Sequence, residues 1–503
     1  MDLIRQVISM TFEFESIMGL LVGTVGGIVI GALPGFSASM GVALLIPITY
    51  GMGPVAGLIM LTAVYTSAIY GGSITATLCH TPGTPAFAAT AIDGYKLTQQ
   101  GHGMEAVGVC TMASMIGGVV GALALLFLSP LLGKFSLRFS ALEYCMLAIF
   151  GVTIIASLAG ESLIKGLFSG ILGLFLGTVG LDAITGVPRF TFGSIQLEDG
   201  RQFVPALIGM FSITQVMIIA DDVFKGKRTI VNGTSMTGRR LPPWSTLKTL
   251  FPTIARSSIV GTIIGIIPAA GAGVSSWVCY SLGKRFSKNP EEFGNGSYEG
   301  IASYESGNNA ATGGALIPLI TLALPGSAAA VILLGGMLMH GLVPGASMFT
   351  EKAPMTYTII VGYLLANILI GVIGLFIAKY VARVSTVPMG CIGPIVVALS
   401  TIGTYAIRNN MFDVFVMLAF GLLGYLLRRT GFATAPFVLG MVLGEIVESN
   451  WRRALIMSRG NMVKYFMTRP ISLVLLVLIL LSMFTPLLVK YLNRSSQAHG
   501  KSA

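Results

Sequence analysis

Long apolar runs, interrupted by glycine and proline rather than by charge, set the pattern of this chain. The plainest covers 471–489, and others lie near 17–33, 107–132, 142–159, 203–220, 357–378 and 411–427. Each approaches the roughly 20 residues that a helix needs to cross a hydrocarbon core of about 30 Å. Barrel strands would instead read as about ten residues of alternating polarity. The runs are continuous, so they predict helices, which satisfy their own backbone groups in lipid. The expectation is an all-α polytopic membrane protein with about twelve transmembrane helices or half-helices.

The pattern is stated twice. Gly27-Ile28-Val29-Ile30-Gly31-Ala32-Leu33-Pro34 is answered by Gly261-Thr262-Ile263-Ile264-Gly265-Ile266-Ile267-Pro268. Gly71-Gly72-Ser73, followed by Pro82-Gly83-Thr84, is answered by Gly313-Gly314-Ala315, followed by Pro325-Gly326-Ser327. These echoes predict two internal repeats with broken or re-entrant helices. Such breaks at corresponding places are the best sequence pointer to a transporter's binding site. The expected segments are an N-terminal piece over 1–16, repeat one over 17–220, a polar linker over 221–249 and repeat two over 250–450. A basic loop, a final transmembrane helix and a tail occupy 451–503. Lys134 and Arg138 correspond to Lys379 and Arg383, which argues against inverted repeats under the positive-inside rule, so repeat orientation stays open.

Composition agrees. Charged residues are 10% of the 503 and hydrophobic residues 54%, with 64 glycines, against roughly 25% charged in soluble domains. The net charge of +11 gathers in short loops, at Lys225/Lys227/Arg228, Arg239/Arg240, Lys284/Arg285/Lys288, Arg428/Arg429 and Arg452/Arg453/Arg459. That is the cytoplasmic-loop pattern rather than a nucleic-acid footprint. The acidic start with Asp2, Glu13 and Glu15 lacks the form of a secretory signal, so the first helix reads as retained. The five cysteines show no metal-like spacing and read as small core residues. A Walker phosphate loop with Gly-Lys-Ser/Thr is missing, which excludes ATP hydrolysis by that device. No His/Glu metal motif and no acid, base and nucleophile set appears, which argues against an enzyme.

A helix broken in a membrane exposes N–H groups at one end and C=O groups at the other, with partial charges to match. One end suits an anion and the other a small cation. Repeat one offers Gly31 to Gly35 with Ser37, then Gly71-Gly72-Ser73 with Thr75, then Thr81 to Pro85. Repeat two offers Pro268 to Gly273, then Glu305 to Gly314, then Leu324 to Ser327. Glycine at 23, 27, 31 and 35 reads first as a helix-packing device and second as substrate contact. Adjacent amides at Asn308 and Asn309 favour ligand or cation contact over capping. His80 reads as a satisfied buried histidine, Asp93 as a turn residue, Asp182 as a loop residue, and Glu445 and Glu448 as a polar helix end facing Arg452 and Arg453.

These residues resemble the large membrane subunit of the tripartite tricarboxylate transporters. The likeness lies in Gly31-Ala32-Leu33-Pro34-Gly35-Phe36-Ser37, Leu44-Leu45-Ile46-Pro47, Tyr70 to Ala76, Pro82-Gly83-Thr84-Pro85 and Ala91-Ile92-Asp93-Gly94-Tyr95. It continues through Gly180-Leu181-Asp182, Gly186 to Phe190, Glu305 to Gly314 and Leu324 to Ser327, over roughly 17 to 460. The resemblance implies a bacterial inner-membrane permease paired with a small membrane subunit of about four helices. It also implies a periplasmic binding protein that delivers a tricarboxylate or another small organic acid. Uptake would be driven by a sodium or proton gradient, with no other cofactor, no further metal and no nucleic acid. On this reading Gly31, Pro34, Gly35, Ser37, Pro82, Gly83, Thr84, Gly271, Pro325, Gly326 and Ser327 hold the substrate. Ser73, Thr75, Asn308, Asn309 and Thr312 hold the coupling cation.

Overall fold

A computed structural model describes residues 2–80, 84–158, 162–182, 185–198, 203–225, 239–268, 270–384, 387 and 389–483. The helices are α1 (Asp2–Thr11), α2 (Phe14–Ala32), α3 (Ala38–Tyr50), α4 (Pro54–Cys79), α5 (Ala88–Gln99), α6 (Gly103–Ser136), α7 (Ala141–Leu158) and α8 (Leu163–Leu176). A two-residue hairpin, β1 (Gly180–Leu181) with β2 (Pro188–Arg189), precedes α9 (Ile195–Glu198). Then come α10 (Phe203–Ile208), a π turn (Gly209–Ile213) and α11 (Thr214–Phe224). The remainder is α12 (Trp244–Ile266), α13 (Gly271–Phe286), α14 (Tyr298–Leu322), α15 (Ala328–Met339), α16 (Ala353–Val384), α17 (Met389–Arg408), α18 (Met411–Arg429), α19 (Thr434–Met457), α20 (Met462–Met467) and α21 (Pro470–Met483). Eight helical segments are long and apolar enough to cross a membrane, and five shorter apolar helices accompany them among the described residues. The chain is thus an all-helical, multi-pass protein.

Proline decides where several of these helices stop. The α region is disfavoured for a residue before proline. Leu33 before Pro34 is extended at φ −71°, ψ 125°, and Ile267 before Pro268 repeats it at φ −70°, ψ 119°. The next pair of ends also match: α4 closes on left-handed His80 and α14 on left-handed Ala323. The breaks expected at Pro34, Pro268 and Pro325 are therefore present. Pro82 and Gly83 lie outside the described residues, as do 226–238 of the linker and 484–503 of the tail.

The breaks expected at Gly71-Gly72-Ser73 and across Glu305 to Gly314 are absent, because α4 and α14 run straight through both. Their glycines serve close approach instead. Gly23, Gly27, Gly31 and Gly71 form the seam between α2 and α4, where a methyl at Gly23 would come within 2.5 Å of the Met60 carbonyl. Gly261, Gly265 and Gly314 form the same kind of seam between α12 and α14, with Gly307 and Ala311 opposite. Glycine here admits a neighbouring backbone, as in helix pairs within membranes, and unwinds nothing.

Other expectations change in detail. Asp93 lies inside α5 rather than in a turn, and its carboxylate accepts the backbone N–H groups of Gly294, Gly296 and Ser297 at 2.8–3.1 Å. His80 is exposed, not buried. Arg452 and Arg453 belong to α19 and not to a loop, because that helix runs on to Met457. Trp244 to Thr249, assigned to the linker, open α12. Cys391 is exposed, whereas Cys110, Cys145 and Cys279 are buried.

Contacts divide the chain into two compact units, one from 1–133 and 204–422, the other from 134–203 and 423–503. The first holds these glycine seams and every candidate site residue that is described. The second holds the hairpin, α8, α19 and the carboxylate–arginine pairs of Asp182, Glu448 and Glu143.

Candidate functional site

Helix α14 carries Glu305, Asn308, Asn309 and Thr312, spaced i, i+3, i+4 and i+7, so the four share one face. All four residues are fully buried. Hydroxyls from three other helices meet that face. Ser73 of α4 donates to Glu305 at 2.6 Å, Ser114 of α6 donates at 3.2 Å, and Thr90 of α5 also donates. No lysine, arginine or histidine pairs with Glu305 among the described residues.

One turn along, the chemistry changes from carboxylate to amide. Asn308 Nδ2 donates to the Ala86 carbonyl at 3.1 Å, in the turn Pro85–Phe87 that follows Thr84. Asn309 Nδ2 donates to Thr66 Oγ1 at 3.3 Å, and Thr66 Oγ1 gives its own proton to Asn367 Oδ1 at 2.7 Å. Thr312 Oγ1 donates to the Asn309 carbonyl at 2.6 Å and lies 2.5 Å from the Tyr363 hydroxyl. Asn367 Nδ2 in turn donates to the Tyr363 carbonyl at 2.8 Å.

Both amide oxygens, Asn308 Oδ1 and Asn309 Oδ1, are buried without a hydrogen-bond partner. Amide orientation is an assignment, so the alternative must be weighed. Turning either amide over would point its oxygen at an acceptor, the Ala86 carbonyl in one case and Thr66 in the other. The amine groups therefore stay where they are, and two acceptors face inward unsatisfied. An orphaned buried acceptor costs about 1–3 kcal/mol, so a donor or a cation belongs beside each.

The proline turns border this core in part. Gly271 opens α13 at φ 61°, and the Gly326 carbonyl and Ser327 Cβ lie 3.8 Å from where its Cβ would stand. Ser327 caps α15 by accepting from Ala330 N–H at 3.2 Å, and the same oxygen lies 2.9 Å from the Tyr65 hydroxyl of α4. Gly271, Gly326 and Ser327 are thereby brought together. Pro34 and Gly35 form the α2–α3 turn, and Ser37 caps α3 by accepting from Met40 N–H at 3.4 Å. No side-chain hydrogen bond joins that turn to the others among the described residues. Gly31 sits in the α2–α4 seam, and the Thr75 hydroxyl bonds back to the Gly72 carbonyl at 3.2 Å. A cavity lined by Leu58, Thr62, Leu316, Leu333, Met337 and Ile359 is apolar and offers a carboxylate no counter-charge.

Sequence reasoning missed Glu305, Thr66, Thr90, Ser114, Tyr363 and Asn367. Glu305 carried a usable signal, being an ionisable residue at helical spacing from the two amides inside an apolar segment. The hydroxyls carried none, since Ser and Thr in such helices ordinarily bond their own backbone.

In the second unit the polar groups pair among themselves. Asp182 meets Arg452 at 2.8 Å and Arg189 at 3.4 Å. Glu448 meets Arg189 at 2.5 Å and Arg452 at 2.7 Å. Glu143 accepts from Arg469 at 3.1 Å, from Ser472 at 2.8 Å and from Ser140 N–H at 2.9 Å.

Residues 17–439 match the family described as the tripartite tricarboxylate transporter TctA family. The chain is similar to an uncharacterized 52.8 kDa protein in the TAR-I ttuC' 3'region of Agrobacterium vitis, at 36% identity over 480 residues, covering 95% of this chain and 94% of the relative. It is also similar to an uncharacterized protein in the TAR-II ttuC' 3'region of the same organism, at 37% identity over 237 residues, covering 47% of this chain and 98% of the relative. No solved structure matches. A family match over most of the chain and a relative covered almost end to end agree, and the chain belongs to the tripartite tricarboxylate transporter TctA family as its large membrane component, a transporter subunit and not an enzyme.

Proposed function

We propose that this chain is the permease of a tripartite secondary transporter in the bacterial inner membrane. It imports a tricarboxylate or another small organic acid, received from a periplasmic binding protein, and works beside a small membrane subunit. A sodium or proton gradient drives the uptake. About twelve transmembrane segments in two repeats carry it. The matched ends of α2 with α12 and of α4 with α14 support the repeat arrangement.

One observation carries the reading: buried, unsatisfied amide oxygens at Asn308 and Asn309 lie in a polar core built from several helices. Short helices restart beside the proline turns, at α3, α13 and α15, and their N-terminal N–H groups suit carboxylates. The substrate contacts would be Gly31, Pro34, Gly35, Ser37, Pro82, Gly83, Thr84, Gly271, Pro325, Gly326 and Ser327. Ser73, Thr75, Asn308, Asn309 and Thr312 would hold the coupling cation. Cation and anion then offset each other's charge, so each raises the other's affinity by the same factor.

The test is uptake in proteoliposomes containing this chain, its small membrane subunit and the binding protein. Accumulation of solute above the external level is expected, which a passive pore does not give. Asn309→Ala and Gly326→Val should each lower uptake at limiting cation by about tenfold or more, equivalent to roughly 1.4 kcal/mol of lost affinity. Wild-type rate and cation dependence in both variants would overturn the site assignment.

A further inference from the structure

Around Glu305 the chain supplies more acceptors than donors. The carboxylate has about four lone-pair sites and receives three hydroxyl protons, from Ser73, Thr90 and Ser114. One turn along the same face, the Asn308 and Asn309 oxygens receive nothing. Four helices, α4, α5, α6 and α14, bring these oxygens together around the carboxylate, while no basic side chain pairs with the charge among the described residues. A buried carboxylate without a counter-charge is costly, and the chain does not provide one.

We propose that Glu305 anchors a binding site for a monovalent cation of sodium's size, completed by the hydroxyls of Ser73, Thr90 and Ser114 and by the free amide oxygen of Asn308 or Asn309. The inference rests on the transport reading above only in taking this cation as the coupling ion. Hard cations take oxygen ligands, both carboxylate and neutral, and each hydroxyl can turn a lone pair inward because it both donates and accepts. A single carboxylate matches a single positive charge and leaves the filled site neutral.

The sign of the coupling follows. With the site unfilled, the Glu305 charge repels an organic anion through a medium of low dielectric. A bound cation removes that repulsion, so the cation raises affinity for the anion, and the anion raises affinity for the cation in equal measure.

The experiment is thermal unfolding of the purified full chain with its small membrane subunit, titrated with sodium chloride against choline chloride at constant ionic strength. Radioactive sodium binding is measured in parallel. Wild type should be stabilised saturably, as expected for a ligand that binds only the folded state. Glu305→Gln should keep or raise its melting temperature in choline and lose both the sodium shift and sodium binding. Ser114→Ala should raise the half-saturating sodium concentration about tenfold, a loss of roughly 1.4 kcal/mol. If Glu305→Gln does not fold, Glu305→Asp and Ser114→Ala carry the test. An unchanged sodium titration in the variants, or a wild type that responds to protons but not to sodium, overturns the inference. Solute uptake by the same wild-type preparation tests the transport reading separately, because that reading fails only if uptake is absent.

Discussion

Asp182 and Glu305 are both almost wholly buried carboxylates, yet their surroundings differ in kind. Asp182 lies between Arg189 and Arg452, which also share Glu448. Within the other unit Asp413 is likewise held by Arg408 at 2.6 Å, and Asp93 by three backbone N–H groups. Glu305 has neither an arginine nor a backbone donor among the described residues, only hydroxyls. An arginine–carboxylate pair is electrically complete and needs nothing from outside the chain. A carboxylate ringed by hydroxyls is oriented but not neutralised, which suits a group that must meet a mobile charge.

The comparison breaks first at its paired side. The double variant Arg189→Ala/Arg452→Ala leaves Asp182 and Glu448 without partners, and removing the partners of a buried pair costs about 3–5 kcal/mol. The lower end applies, because the arginines are 27% and 34% exposed. Folded yield and melting temperature should fall sharply, while sodium titration of the surviving protein should match wild type. An unchanged melting temperature would show that the pairs are not structural and would remove the contrast with Glu305.

A smaller change turns Glu143 into an imitation of Glu305. Arg469→Ala would leave it with Ser140 and Ser472 as its donors. The expected loss is about 1.5–2 kcal/mol, the lower part of the range for a hydrogen bond to a charged group, read from the melting temperature. A loss as large as that of the double variant would mean that hydroxyls cannot hold a buried carboxylate. Glu305 would then be stable only with its cation bound.

The sequence made the helical, membrane-crossing character legible, because continuous apolar runs admit few other structures. It also located the turns at Pro34, Pro268 and Pro325, since proline acts locally on the residue before it. Gly71-Gly72 and Gly313-Gly314 misled, because glycine serves both unwinding and close approach, and only the neighbouring backbone tells which. Gly71 faces Ile28 and Gly314 faces Thr262, partners far away in sequence. The Asn308-Asn309 pair was legible as chemistry because amides are rare in apolar helices. Their inward oxygens were not, since orphaning depends on Ala86 and Thr66. The two compact units were hidden for the same reason: each draws on both halves of the chain.

The mildest expectation concerns pH. Arg189, outside the spanning helices, has its guanidinium pKa raised, chiefly by its hydrogen bonds to the Glu448 carboxylate. A raised folded pKa gives stability that is complete below the unfolded value and lost only as pH rises through the folded one. Both values lie in the arginine range, far above neutrality. The melting-temperature difference between wild type and Arg189→Ala should therefore stay constant from about pH 6 to about pH 9, where arginine remains fully protonated. A difference that shrinks as pH rises across that window would mean that a group titrating near neutrality, and not the guanidinium, holds Glu448. The paired side of the comparison would then be as open to protons as the unpaired side.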